Sequence, residues 1–481
     1  MDSLLEKFDR VRADKIEANT VLKRTRVEET FGDNAFALGY TDRDYAPQYH
    51  LMYQYRLKVL KERIREECLS KWDSGFRLNG RVVVEKGNVL DIQGKEPCWC
   101  IGTIYREMKY KPNVLEEVMN DTYGTVEMIE KSYTDPDGSD EIMLEDESGR
   151  VLLVGEYIAK TPFVTGTVIG ILGMEADAGT FQVLDVCYPR ALPQSPRPPT
   201  SKLPDGKTRK IALVSGINIS TTAPDRVLKL QLLQEYLMGR LGHEDEIAQI
   251  GRLIICGDSV DFNVKRDDPG ALANKLDEFG KFLSNTLQSI PIDIMPGAKD
   301  PSDRTLPQQP LHKALFRESL SDYFDASNKN ILNLVTNPYN FTINGWNMLT
   351  TAGQNITDIC KYILPFEKDD SQLSSSVSND ERKAENILDL MECTMKWQNI
   401  APTAPDTLWS YPYKNDDPFI LKQWPHIYVI GNQPHYGSRN AKLGNKTELL
   451  MISLPVFSET GQLVILDLDT METELVTIDN I

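Results

Sequence analysis

Histidine is scarce in this chain, with five in 481 residues, at positions 50, 243, 312, 426 and 435. None falls in H-E-x-x-H, and the chain also lacks a G-x-S-x-G nucleophile elbow and a G-x-x-x-x-G-K-[ST] phosphate loop. His435 lies one residue past a candidate strand-end loop, and His312 reads as a hydrogen-bonding loop residue after Pro310-Leu311. Cysteine is sparse and odd in number: seven, at 68, 98, 100, 187, 256, 360 and 393. Scattered thiols inside apolar runs read as reduced, not as a disulfide framework. Cys98 and Cys100 form a lone C-x-C, and a closed zinc site needs four ligands. No run of 18 apolar residues occurs, and MDSLLEKFDRVRADK carries no apolar leader core, so neither a membrane span nor a signal peptide is expected. Positive charge is in deficit, with 53 Lys+Arg against 71 Asp+Glu and a formal charge of −18. Such a surface repels a phosphate backbone and argues against direct, tight DNA binding.

What is present is ordinary globular composition, 41% apolar and 26% charged, in a chain long enough for two or three domains. Residues 1–42 read as a polar, flexible tail. Within 43–72, Tyr49, Tyr53, Leu57, Leu60 and Ile64 recur at three- and four-residue steps, predicting a core-packed amphipathic helix with a solvated Lys/Arg/Glu face. Residues 73–189 hold five or six short runs rich in Val, Ile and aromatics, such as CWCIGTIYREM and TPFVTGTVIGILGME, separated by Gly, Asp and Pro. That pattern suits a small OB-like barrel, interrupted by a basic, helix-like insert, EMKYKPNVLEEVMND. Gly166-Thr-Val-Ile-Gly170 sits in a β-run and does not fit a phosphate loop.

Residues 190–209, rich in Pro, Ser and basic side chains, read as a stiff linker. From 210 to 481 the rhythm becomes strand, helix, strand, helix, strand. The runs KIALVSGINI and RLIICGDSVDF are continuously apolar, which predicts a largely parallel sheet covered on both faces. A polar, Ser-rich stretch near 367–386 reads as a disordered loop.

Ligands of such sheets bind beyond the carboxyl ends of the strands. Those ends read Gly216-Ile-Asn218, Gly257-Asp258-Ser-Val-Asp261, Gly297-Ala298-Lys299-Asp300 and Gly431-Asn432-Gln-Pro434. The series resembles the calcineurin-like metallophosphoesterases, whose strand ends read D-x-H, G-D-x-x-D, G-N-H-[DE] and G-H-x-H. Carboxylates and imidazoles there clamp two metal ions. Here Gly216 and Asn218 replace the first Asp and His, while Asp258 and Asp261 are kept. Ala298 and Lys299 replace Asn and His beside a retained Asp300. Asn432 and Pro434 stand where two histidines would be. Lys299 would put a cation in the metal's place. The expected site therefore holds no metal and no cofactor, and its aspartates serve as turn acceptors.

Over residues 45–470 the chain resembles the B-subunits of replicative DNA polymerases, in their delta-type branch. CWCIGTIYREMKYKPNVLEE, CGDSVDF, MPGAKDPSD, LPQQPLH, GNQPHYGSR, and above all TTAGQNITDI (350–359) and APTAPDTLWSYPY (401–413), carry the resemblance. It implies an α+β and α/β multidomain fold: an N-terminal helical segment, an OB-like β-barrel and an inactivated phosphoesterase β-sandwich with flanking helices. It also implies a nuclear, non-catalytic scaffold for replication, repair and translesion synthesis. Its partners would be the C-terminal metal-binding module of the catalytic chain of DNA polymerase delta, a third delta subunit and the catalytic chain of polymerase zeta. DNA would be touched mainly indirectly, and no membrane is involved. Two other functions compete. One is an active metal-dependent phosphodiesterase or exonuclease. The other is a single-strand binder using Tyr105, Arg106, Lys109, Tyr110 and Lys111 on the OB-like domain.

Overall fold

A computed structural model describes residues 22–30, 34–46, 48–72, 75–112, 132–135, 137–176, 179–199, 203, 206–220, 224–262, 269–324, 330–363, 379–444 and 447–478. Helix α1 runs His50–Lys71. Five strands follow: β1 Cys98–Glu107, β2 Glu141–Glu145, β3 Arg150–Val154, β4 Val168–Glu175 and β5 Thr180–Cys187. They pair β1-β2-β3-β5-β4, and β4 pairs back onto β1, so the hydrogen-bonded ladder is a closed ring without a free edge. Strand β1 alternates across that ring. Cys98, Cys100 and Ile104 point into its interior, and Trp99 and Ile101 face α1. The basic insert beyond Pro112 lies outside the described residues.

The α1 face differs from the sequence expectation. Its buried residues are Met52, Arg56, Leu60, Ile64 and Cys68, an i, i+4 row, whereas Tyr49 is 44% exposed. The row includes an arginine, which a hydropathy pattern assigns to solvent. Two glycines let α1 and a neighbouring loop approach the ring. A Cβ on Gly170 would lie 2.6 Å from Cys68 Sγ, and one on Gly166 would overlap Pro402 O.

Beyond the ring, the chain runs β6 Lys210–Val214, α2 Pro224–Leu237, β7 Ile250–Cys256, α3 Pro269–Leu287, β8 Ile292–Met295, β9 Leu332–Leu334, β10 Tyr339–Ile343 and β11 Trp346–Thr351. It continues with α4 Gln354–Tyr362, α5 Asn379–Trp397, β12 Ile427–Gln433, β13 Gly437–Lys442, β14 Glu448–Pro455, β15 Gln462–Asp467 and β16 Thr473–Thr477. The strands do not form the single helix-covered parallel sheet that their rhythm suggests. They split into two mixed six-stranded sheets. One has the order β9-β8-β7-β6-β15-β16, and the other is β10-β11-β12-β14-β13 with the short strand Glu29–Thr30 added on β10. Only β6 to β9 in the first sheet, and β11, β12 and β14 in the second, run parallel to their neighbours.

Alternation on buried strands explains the split. Ile211 and Leu213 of β6 meet Ile427 and Val429 of β12 in a core between the sheets. Ala212 and Val214 turn outward to Leu233 of α2 and to Phe279 and Leu283 of α3. Tyr428 and Ile430 turn outward on the second sheet, toward α4 and α5 and into the same cluster as the ring interior. The ring interior and the outer face of the second sheet therefore share one apolar cluster.

Three further stretches are placed in part. The tail is ordered from Leu22: Glu29–Thr30 extends a sheet, and Arg24 bonds the carbonyls of Ser289, Ile247, Ile250 and Leu237. Residues 1–21 lie outside the described residues. The Ser-rich stretch becomes helical at Asn379, where α5 begins, and its earlier part is not described. The 190–209 segment is tied to the second sheet. Gln194 Nε2 donates to Pro425 O at 3.0 Å and to Glu448 O at 2.9 Å.

Candidate functional site

The strand-end residues singled out in the sequence converge where the two sheets meet. Backbone bonds join them across the tips: Gly216 N–H donates to Gly257 O at 3.0 Å, and Asn218 N–H to Asp258 O at 2.9 Å. Asn218, Asp258 and Asn432 have φ of 48°, 54° and 57°, a left-handed conformation that Asn and Asp tolerate better than other side-chain-bearing residues. Asn218 and Asp258 follow β6 and β7 in tight turns, and Asn432 sits at a register shift near the end of β12.

What they meet is protein. Asp300 is buried, and its Oδ1 and Oδ2 accept the N–H groups of Val260 and Gly297, both at 2.8 Å. Asp258 Oδ1 accepts the N–H of Lys299 at 3.0 Å. Burial, then the charge of Asp258, pushes the Asp300 carboxyl up to about 7. Burial also raises the Asp258 carboxyl, against the pull of the Lys299 amide and ammonium. Asn432 Nδ2 donates to Ala352 O at 2.9 Å, and its N–H donates to Ser215 Oγ at 2.9 Å. Asn218 Nδ2 donates to Ser458 Oγ at 3.0 Å.

Glycines close the remaining space. A Cβ on Gly216 would lie 2.8 Å from Asn432 Oδ1, and one on Gly257 would lie 2.5 Å from Ala352 Cβ. An aspartate at position 216 has no room. The other motif positions lie at the edge of this knot. Ala298, Lys299 and Pro434 are exposed, so Lys299 does not occupy the metal's place but stands at its rim. Asp261 is half-buried, and its backbone carbonyl accepts from Lys275 Nζ at 2.6 Å. Among the described residues, no group of three or more His, Cys, Asp or Glu side chains is gathered to hold a metal. His426 is committed elsewhere: its Nδ1 accepts from Asn347 N–H at 2.9 Å, and its Nε2 lies 2.9 Å from Ser195 O.

The aromatic-basic cluster on the ring is internally compensated. Lys111 pairs with Asp406 at 2.9 Å, Arg150 with Glu145 at 2.7 Å and Lys109 with Asp135 at 3.6 Å. Tyr105 already has Lys111 and Arg150 each 4.3 Å from its ring centroid, where a stacking base would have to compete with them. Arg106 turns inward and bonds the carbonyl of Tyr362.

The two stretches most distinctive in the family resemblance meet in a buried polar cluster whose partners the sequence did not show. Asn355 Nδ2 donates to Ile400 O at 2.7 Å, and Thr407 Oγ1 donates to Asp358 Oδ2 at 2.7 Å. Tyr133, on the ring side, packs edge-on against Tyr362 with centroids 5.2 Å apart. Arg56 of α1 donates to Asp417 Oδ2, Pro402 O and Ala404 O, each at 2.7 Å. The 350–359 and 401–413 stretches therefore form an internal seam between helix, ring and sandwich.

The ring and the sandwich each match a polymerase-subunit family. Residues 48–186 match the model of the DNA polymerase delta subunit OB-fold domain, and residues 211–438 match that of the DNA polymerase alpha/epsilon B-subunit. The chain is 57% identical to the DNA polymerase delta small subunit of Saccharomyces cerevisiae over the whole of both chains. It is 35% identical to the protein of that name from Arabidopsis thaliana, over 80% of this chain and 82% of the other. It is 30% identical to DNA polymerase delta subunit 2 of Drosophila melanogaster, over 90% and 94%. The chain belongs to the DNA polymerase delta small-subunit family.

Proposed function

We propose that this chain is a non-catalytic scaffold of the nuclear replicative polymerase, built from an OB barrel and a phosphoesterase-like sandwich that has lost its hydrolytic centre. One observation carries the reading: the four strand tips are filled by amides, glycines and backbone bonds, with Asp300 satisfied by main-chain N–H groups. Two-metal hydrolysis needs open coordination positions and room for an attacking water. The internal pairing of Lys109, Lys111 and Arg150 likewise argues against a single-strand-binding groove.

The working parts are then the outer faces. By this reading they hold the C-terminal module of the DNA polymerase delta catalytic chain on one side and a third subunit on another, with polymerase zeta as a second client. Co-expression with the delta catalytic chain should give a complex that survives gel filtration. The purified chain, given Mn²⁺ and a phosphodiester substrate, should hydrolyse no faster than its Asp258→Ala variant. Manganese-dependent turnover abolished by that substitution would sink the reading, as would elution of the two chains apart.

A further inference from the structure

Residues 23–26 and 28, in an N-terminal strap, and residues 198, 199, 203, 207 and 209 of the following segment line a cleft of about 770 Å³ beside Trp346 and Leu468. Five cations line it: Lys23, Arg24 and Arg26 from the strap, and Lys207 and Arg209 from the segment. Its carboxylates are Glu28 and Asp469, and Asp469 is engaged by Arg209 at 2.8 Å. The lining thus carries an excess of three positive charges, five against two, on a chain whose formal charge is −18.

Among the described residues, three of these cations have no counter-charge. Lys23 and Arg26 are exposed and form no ion pair with a described residue. Arg24 is anchored by neutral acceptors only, the carbonyls of Ser289, Ile247, Ile250 and Leu237 and the Ser289 hydroxyl. Burial lowers its guanidinium to about 10, so it stays charged at neutral pH. Arg24 thereby ties the strap down, and the two exposed cations beside it raise the local concentration of an anion.

We propose that this cleft docks an acidic, extended segment of a protein partner. Its size lies in the range of pockets that enclose a ligand, and Pro198, Pro199 and Leu203 add apolar surface between the charges. A nucleic acid fits less well. A duplex presents a charge about every 1.7 Å along its axis, which calls for a basic track, whereas these cations cluster at one point on an otherwise acidic molecule.

The test uses the full chain and a fluorescein-labelled peptide of alternating Glu and Leu, read by anisotropy at about 50 mM salt, where surface charges are weakly screened. Lys23→Glu/Arg26→Glu should weaken binding by ~10-fold or more, and Lys23→Ala/Arg26→Ala should weaken it less. Lys58→Glu/Lys281→Glu makes the same charge change at exposed sites elsewhere and should leave affinity within about twofold. The proposal falls if the full chain does not bind the peptide, or if the two Glu pairs lose affinity equally. It also falls if a single-stranded oligonucleotide of the same charge binds more tightly and is the ligand that Lys23→Glu/Arg26→Glu releases.

Discussion

Arg56 and Asp417 lie 361 positions apart, yet Nε and Oδ2 meet at 2.7 Å with both side chains fully buried. Burial pushes the Asp417 carboxyl up while Arg56 pulls it down, so the pair holds its charges only together. Removing one partner strands the other. Arg56→Met should cost about 3–5 kcal/mol in urea unfolding, and adding Asp417→Leu should restore a large part of it. A loss under about 1 kcal/mol in the single variant would show the pair to be dispensable.

Glu29 anchors the strap to the sandwich. Its Oε2 meets Arg252 at 2.6 Å, its Oε1 accepts from Tyr339 at 2.7 Å, and its side chain is 1% exposed. Burial and then Asp293 push the carboxyl from 4.5 up to about 8, with Arg252 and Tyr339 opposing. A raised native value means that the unfolded state gives up this proton first. The contribution is full below 4.5 and is lost as pH climbs through about 8. Amide exchange of residues 25–30 should accelerate more steeply between pH 6 and 9 in the native chain than in Glu29→Gln, after correction for intrinsic rates. Equal slopes would count against it.

Asp300 predicts a similar trend in global stability. Its two oxygens each accept a backbone N–H at 2.8 Å, and its carboxyl is raised from 3.8 to about 7. Asn offers one acceptor and turns an amide N–H toward the second donor. Asp300→Asn should lose ~1–3 kcal/mol. It should also lose the decline in stability that the native carboxyl contributes between 3.8 and about 7. Chemical denaturation at pH 5 and pH 8 distinguishes the two chains.

Gly166 has φ of +88°, and a Cβ there would overlap Pro402 O and lie 2.8 Å from Arg56 Nη1. Gly138 has φ of +77° and open space around it. Gly138→Ala should cost only the left-handed penalty of about 1–2 kcal/mol, and Gly166→Ala clearly more. Equal melting points for the two variants would mean that the seam yields without cost.

The strand tips were legible in the sequence because their chemistry is local. A glycine turn followed by Asp or Asn at the end of an apolar run marks a place as well as a residue type. Arg56 was not legible, since an arginine on an amphipathic helix reads as solvent-facing and its partners lie more than 340 positions away. Glu29 was hidden in the same way inside a polar stretch that looked like tail. The two-sheet arrangement was not legible in the strand rhythm and came only with the family resemblance. Ile211 and Ala212 are equally apolar, and nothing in β6 says that one faces a second sheet and the other a helix.

The apolar cluster shared by the ring and the second sheet has a mechanical consequence. Sliding or hinging one lobe against the other would expose that cluster and break together the bond from Tyr133 OH to Asp358 Oδ1, 3.3 Å, and the bonds of Arg56. Two proteins gripping opposite lobes would therefore be held at a fixed distance and angle, and a push on one would be felt by the other as if through a solid bracket.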